Sequence, residues 1–573
     1  MRCVLIILTS FLLWQYSSAA QQLSGMEAIM AFLGTDDPED MNSDDVERLE
    51  HLLESPVHIN QLDRLQLRSC GLFSAYQIAV LEDYVRRHGA ICSFHELSLL
   101  DGFGERFTQK VAPFVSLDMM LLHPSAQSPG VRHELATRGS YTLKERNADA
   151  VSYAMKYRVD VKGRITGVFA VARGTSANTW APDTFSGSIS WQSARVPLRL
   201  IAGDFNARFG QGLTLWNNSF ISSLTTPDTF MKRPSGVSQP WSFTGSNALT
   251  GLAAEYRAGK FFVSTAVAFP GLKTLSAEPG KVQFMPAVNV AWQSRSGQLS
   301  MTNVMYMPIA PTVADMILKS GLDAAFCIRG VNLFGEFAYD WTEKVPSAVA
   351  GSRFKVGENA DIALQARSLK NDEHGGAVSG MFNIGKRSQG YMLADLSYYT
   401  VPKDKSDLYS LQFKSQMAMG MIFSDSWTMK VRLTERIRTW GHPFRTDARA
   451  DVTYVSDPFM ASMRVNVLNC DGTGILSYIE GGIKRPELAL YLRQGIFFID
   501  DWDDRIYVYE RDAPGSFNVP AMYGRGVWTS LAASSRIVQT LRVYARASYV
   551  CYPFMEKKKP GKAELKLQLQ YRF

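Results

Sequence analysis

From Ala563 to the last residue the chain alternates without a break. Ala563, Leu565, Leu567, Leu569, Tyr571 and Phe573 fall on one phase; Glu564, Lys566, Gln568, Gln570 and Arg572 fall on the other. A period of two belongs to a strand with two unlike faces. The pattern recurs from Leu541 to Tyr549, from Trp427 to Leu433 and from Tyr153 to Val161. Between Val131 and Phe573 it predicts about twenty to twenty-four strands, each roughly ten to thirteen residues long, which suits the ~9–11 tilted residues that cross a bilayer core. The polar phase carries full charges (Lys430, Arg432, Arg436, Arg438), which a dry core could not hold. Short turns such as Ala258-Gly259-Lys260, Arg295-Ser296-Gly297 and Arg329-Gly330 alternate with long polar segments, the longest near Gly174–Gly187, Asn217–Gly245 and Asp500–Gly524. The fold class expected is therefore mainly β: a large transmembrane antiparallel β-barrel. In hydrocarbon no backbone group can go unpaired, so the sheet must close. With both of its ends on one side, the strand number is even.

The chain of 573 residues is 46% hydrophobic and 20% charged, which excludes a disordered chain and a small disulfide-stapled one. Its one uninterrupted apolar run, Val4–Trp14, follows Arg2 and precedes Ser18-Ala19-Ala20. That reads as a secretory signal peptide over residues 1–20. Five cysteines lie beyond it: Cys70, Cys92, Cys327, Cys470 and Cys551. An odd, sparse set is no disulfide framework; Cys70 with Cys92 is the one plausible pair, against free thiols acting as small hydrophobes.

Charge divides the chain in two. Residues 21–118 hold 17 acidic and 7 basic residues, whereas residues from 119 on hold 37 acidic and 53 basic. Residues 119–130 (MMLLHPSAQSPG) read as a linker, and residues 131–573 as the barrel. Before the linker the period is helical: Met26, Ile29, Met30 and Leu33 share a face, and so do Val46, Leu49, Leu52 and Leu53, with Ser43 a candidate N-cap. Residues 21–118 are expected to be a small α-helical domain in the periplasm.

Within it, residues 59–115 resemble tandem helix-hairpin-helix repeats of the competence DNA-receptor family. The second repeat reads Leu97-Ser98-Leu99-Leu100-Asp101-Gly102-Phe103-Gly104, with Asp101 where the family has Pro. The first, Ser69-Cys70-Gly71-Leu72-Phe73, lacks both the Pro and the second Gly. The resemblance implies a backbone phosphate site at Gly71, Gly102 and Gly104. A domain with ten more acids than bases opposes that use. The order of signal peptide, degenerate hairpin pair and long barrel is similar to a family of Bacteroidota outer-membrane proteins with a helix-hairpin-helix domain. Gly203–Leu213 and Tyr507–Gly515, followed by Tyr523-Gly524-Arg525-Gly526, carry that likeness. The alternating C-terminus ending in Phe573 resembles the assembly signal of outer-membrane proteins.

Chemistry is sparse. Gly210-Gln211-Gly212 lacks the Lys-Ser/Thr end of a phosphate loop and reads as a strand bend at a rim. Asp204, Arg208, Glu510, Arg511 and Asp512 suggest a charged cluster at a rim or in the lumen. His88, Cys92 and His95 lack structural-zinc spacing. No nucleophile motif accompanies His133, His374 or His442, so no enzyme, cofactor or metal site is expected. The strongest hint is a set of bases on the lumen phase: Arg158, Lys430, Arg432, Arg436, Arg438, Arg542, Arg546, Lys566 and Arg572. They make either an anion-favouring lumen or, paired with inward acids such as Asp160, Glu336 and Glu564, a plugged interior. The function expected is non-enzymatic: a channel or envelope-complex scaffold that touches outer-membrane lipid, with residues 21–118 either docking a periplasmic or outer-membrane protein or sealing the barrel mouth. DNA binding and uptake through the hairpins is the alternative.

Overall fold

The computed structural model describes residues 25–573 apart from 36–37, 39–40, 62, 119–129, 145–146, 162, 176–179, 218–223, 241, 244–246, 271–282, 309–315, 358, 371, 386, 404–408 and 557–558. The signal peptide and all but one residue of the linker lie outside the described residues.

Twenty-four antiparallel strands of 8 to 15 residues form a closed barrel running from Val131–Lys144 to Lys562–Arg572. Each strand pairs with its neighbours in sequence, and the last pairs with the first, with Tyr571 opposite Leu135. His133 and Phe573 exchange two backbone hydrogen bonds of 2.8 and 3.0 Å across that seam. The even strand number and the closure follow the expectation from sequence.

The alternation resolves into an inner and an outer face. Leu565, Leu567 and Leu569 are 57%, 49% and 41% exposed, whereas Gln568 and Gln570 between and beyond them are 2% and 5% exposed. An apolar outer face on a closed barrel belongs in lipid. Aromatics collect near the strand ends, among them Trp427 against Tyr454 and Tyr571 against Phe573. Among the described residues no helix is long and apolar enough to cross a membrane; the strands cross it. At one end every connection is two to five residues; at the other they range from 2 to 40. The turns read from sequence all fall at the first end, and the long segments at the second.

Residues 25–118 hold six helices among the described residues: α1 (Gly25–Leu33), α2 (Ser43–Glu54), α3 (Arg64–Ser69), α4 (Ala75–His88), α5 (Phe94–Ser98) and α6 (Gly104–Val111). Local chemistry sets their starts. Asn42, not Ser43, caps α2 by accepting from the Asp44 N–H. Asp63 accepts from the Leu65 and Gln66 N–H groups, and Ser74 and Gln77 form a capping box. The apolar faces meet around Ile29, Leu49, Ile59, Leu72, Leu81, Leu97 and Phe114. A two-residue parallel ladder, Val57–His58 with Val115–Ser116, ties together the two ends of the segment that carries α3 to α6. Asn60 reinforces the tie, donating to the Ile91 and Leu117 carbonyls and accepting from the Ile91 N–H. Cys70 is buried in this core, Cys92 is exposed, and all five cysteines are free, so the Cys70–Cys92 pair does not form.

Candidate functional site

The helical domain is lodged inside the barrel, gripped by inward side chains from opposite sides of the wall. Arg68 on α3 reaches Glu255 at 2.8 Å, Asp45 on α2 receives Arg208 at 2.8 Å, and Arg106 on α6 reaches Asp361 at 2.9 Å. His51 on α2 meets Arg158, and Glu54 is shared by Arg572 and by Arg542 at 3.5 Å. Asp83 on α4 receives Arg295, in a short turn, at 3.0 Å. Leu65 packs against Phe262 and Ala291 of the wall. Of the two roles expected for residues 21–118, docking a separate protein or sealing the barrel mouth, these contacts fit the second: the domain packs against the barrel wall. The physical reason lies in the charge division. An excess of ten acids in residues 21–118 faces an excess of sixteen bases in the rest, so opposite potentials meet inside one molecule.

Two long connections fold inward and complete the plug. Phe230 is buried with Leu224 against Phe334, Ala363 and Leu393 of the wall. Asp228 beside it holds Lys110 of α6 at 2.6 Å and Arg353 of the wall at 2.5 Å. Burial works to raise the Asp228 carboxyl, but Arg353, Lys110 and Arg106 outweigh it and hold it well below the usual carboxylate range. From the other side the Gly515 N–H donates to Glu50 of α2 at 2.8 Å. The described part of the Asn217–Gly245 segment is therefore part of the plug.

Gly210-Gln211-Gly212 is neither a phosphate loop nor only a bend. The N–H groups of Gln211, Leu213 and Thr214 and the Thr214 hydroxyl donate to the Glu336 carboxylate at 2.6, 3.1, 2.9 and 2.6 Å. Gly210, at φ 60°, leaves no room for a Cβ beside that carboxylate. The motif is an anion cradle whose anion is the protein's own wall. The cluster drawn from sequence divides into separate contacts. Asp204 accepts from Ser186, Gly187 and Thr250; Arg208 goes to Asp45; Arg511 goes to Glu480. Asp512 receives Arg546 at 2.7 Å and Lys566 at 2.5 Å, and Glu510 and Glu564 lie 3.5 and 3.3 Å from Arg546.

The hairpin glycines are spent inside the plug or against the wall. Gly71 donates to the Arg68 carbonyl and packs on the Arg48 guanidinium, Gly102 packs on Tyr76, and Gly104 faces Lys355. His88 stacks on Tyr84.

The predicted lumen bases thus form two groups. Arg158, Arg542, Arg546, Lys566 and Arg572 are consumed by plug and loops. The others sit on the opposite wall. Inward positions of the four strands Ser410–Ile422, Trp427–Arg438, Phe444–Ser456 and Phe459–Asn469 carry eight bases: Lys414, Lys430, Arg432, Arg436, Arg438, Arg445, Arg449 and Arg464. They carry two acids, Asp447 and Asp451. Asp451 holds Arg449 at 2.6 Å and Arg464 at 2.5 Å, and Arg432 lies 3.8 Å from Asp447. Sequence reasoning found Lys430, Arg432, Arg436 and Arg438; it missed Lys414, Arg445, Arg449 and Arg464, although the same alternation on the neighbouring strands marks them as inward.

A cavity of about 50 Å³ where α2 meets the wall gives the plug a pH response. Glu47, Glu50, His51 and Glu54 face Glu134, Lys156 and Arg158 there, with Arg138 and Asp512 also in reach of Glu50. Burial pushes Glu50 up to about 7, raises Glu47 as well, and holds His51 neutral. A carboxyl whose value is raised on docking favours the docked state at low pH, and that advantage is lost as pH climbs from its ordinary 4.5 to about 7. Protection of residues 25–118 from protease is expected to fall over that window to the extent that Glu47 and Glu50 outweigh His51, whose lowered value favours docking as pH rises. Glu50→Gln should flatten the profile; an unchanged profile would remove Glu50 from the account.

Fold and site define a plugged transmembrane β-barrel of the outer-membrane type. No protein-family model matches the sequence, and no curated relative matches it. Similar solved structures include the siderophore receptor PirA from Pseudomonas aeruginosa, with TM-score 0.41 and 7% identity over 78% of this chain and 81% of that one. The copper transporter OprC gives 0.41 and 7% over 77% and 80%. The translocation pore of the P pilus usher PapC gives 0.39 and 8% over 77% and 99%. At these values the likeness carries no functional argument.

Proposed function

We propose that this protein is a non-enzymatic outer-membrane conduit for anionic solutes, gated by its resident helical plug, with the short-turn end in the periplasm. The basic wall opposite the plug carries the reading: eight bases against two acids over four adjacent strands. In a low-dielectric tube such a surplus focuses a positive potential and enriches anions. The bases at 430, 432, 436 and 438 of one strand extend along most of its length, so the potential runs across the membrane. A periplasmic partner would meet the plug at its exposed edge near that end, where Leu99 is 73% exposed.

The test is the reversal potential of the full chain in a planar bilayer under a potassium chloride gradient. Anion preference is expected, and Arg432→Glu with Arg449→Glu should move the reversal potential toward the cation side. Cation preference in the parent protein, or no shift in the variant, would overturn the reading.

A further inference from the structure

Within the basic wall one rung differs from the rest. Lys414, Arg436 and Arg445 lie directly opposite one another on three adjacent strands, and Arg438 lies one inward step from Arg436 toward the long-loop end. Directly opposite residues have Cβ atoms about 4.5–5.5 Å apart, and like charges so placed repel. Elsewhere on the wall each such cation has an acid beside it: Asp451 lies between Lys430 and Arg464, and the directly opposite Arg432 and Arg449 lie 3.8 Å from Asp447 and 2.6 Å from Asp451. Here no ion pair forms: among the described residues no carboxylate comes within salt-bridge distance of Lys414, Arg436, Arg438 or Arg445. The acids nearby are engaged: Asp395, opposite Lys414, holds Arg367 at 2.8 Å, Asp447, the next inward residue from Arg445, lies 3.8 Å from Arg432, and Asp503 faces His442 at 3.2 Å and Arg505 at 3.8 Å.

What Arg438 and Arg445 touch fixes them in place and leaves their charge. Arg438 donates from Nε to Gln412 at 2.7 Å and lies over the Trp440 ring at 5.4 Å. Trp440 is itself set edge-on to Tyr399 at 5.5 Å. Arg445 donates to the Asp503 carbonyl at 3.4 Å. Arg436, Arg438 and Arg445 lie within one another's electrostatic reach. All four side chains are half-buried. An internal ion-pair network would have used these positions for alternating signs. A cationic rung without an ion pair, braced at Arg438 and Arg445 by a ring and neutral groups at the mouth of the lumen, is built for an anion that comes from outside.

We infer that Lys414, Arg436, Arg438 and Arg445 form a binding site for a multiply charged tetrahedral oxyanion, the phosphate group of an organic phosphate being the fitting class. Two charges on one centre are needed to offset several cations, and guanidinium forks grip pairs of oxygens rather than a sphere. Chloride supplies neither. The inference deepens the conduit reading, on which it rests for its direction of flow, but binding is measured without flow.

The probe is inorganic pyrophosphate, titrated by calorimetry into the full chain in detergent, with chloride at constant ionic strength as the background. Saturable binding near one per chain is expected. Arg436→Gln with Arg445→Gln should weaken it at least tenfold. Arg436→Lys, which keeps charge but removes the fork, should fall between. Arg449→Gln, deeper on the same wall, should leave it within about twofold. No saturable binding, or binding unmoved by the Arg436/Arg445 pair of substitutions, overturns the site. Failure of the conduit reading shows separately, as loss of anion preference in the bilayer with pyrophosphate binding intact.

Discussion

Deletion of residues 21–118 converts a poorly conducting protein into a wide pore. Twenty-four strands enclose a lumen far larger than side chains can fill. What fills it here is the helical domain, whose core is its own and whose outer surface is matched to the wall by charge. The inward loops around Phe230 and Gly515 remain after the deletion, but each has lost its plug-side partner: Lys110 for Asp228, and Glu50 for the Gly515 N–H. Single-channel conductance is expected to rise on the order of tenfold or more. Strand-rich circular dichroism and retained resistance to detergent denaturation establish that the truncated barrel is assembled. In the intact chain, Asp83→Cys with Arg295→Cys, joined by a reducible thiol-reactive cross-linker, places a tether across an ion pair whose tips are 3.0 Å apart. The cross-linked protein should show fewer of any openings the parent shows, and reduction of the linker should restore them. A truncated, assembled barrel that conducts no better than the parent would mean that the inward loops, not the helices, close the lumen.

The barrel was legible because its physics is local. Alternation such as Leu565, Leu567 and Leu569 against Lys566, Gln568 and Gln570 sets both the strand and its faces, and closure follows from the cost of an unpaired edge in lipid. The location of the helical domain was not legible from such periods. Its helices follow from capping residues and apolar spacing, but what they dock against is a matter of pairs such as Asp45 with Arg208 and Arg68 with Glu255, separated by 163 and 187 residues. No sequence period reports that. The opposed charges of the two halves were the available signal, readable as complementarity within one chain rather than as two separate bodies. Gly210-Gln211-Gly212 teaches the same lesson. Its glycines mark a backbone that approaches an anion, but the anion is Glu336, 125 residues away from the Gln211 N–H it accepts from. On the basic wall, alternation puts Arg436 and Arg438 on the inward phase and leaves their meaning open, because whether a lumen base is paired depends on the neighbouring strand and on what the lumen contains.

Arg68→Ala is expected to loosen the plug more than any other single change in the helical domain. Glu255 is fully buried, at 0% exposure, and its carboxylate accepts from Arg68 Nη1 at 2.8 Å and from the Ser264 hydroxyl at 3.2 Å. Arg199 lies 4.0 Å from its other oxygen. Removing Arg68 leaves a charge in a dry site with one distant cation, which costs about 3–5 kcal/mol for a buried pair broken on one side. The opposite outcome is expected when both partners go. Arg68 Nε and Nη2 and the second Glu255 oxygen have no protein hydrogen-bond partner, so the pair is incompletely satisfied. The Arg68 guanidinium lies over the Phe262 ring at 5.1 Å, beside Leu65, so a Met side chain has an apolar surface to pack on. Arg68→Met with Glu255→Gln therefore trades an imperfect ion pair for apolar contact and should recover most of the loss, to within about 1 kcal/mol of the parent. Protease susceptibility of residues 25–118 and the first transition in thermal unfolding read both variants. A double variant as loose as Arg68→Ala would show that the charge itself, rather than the absence of an unpaired partner, holds α3 to the wall.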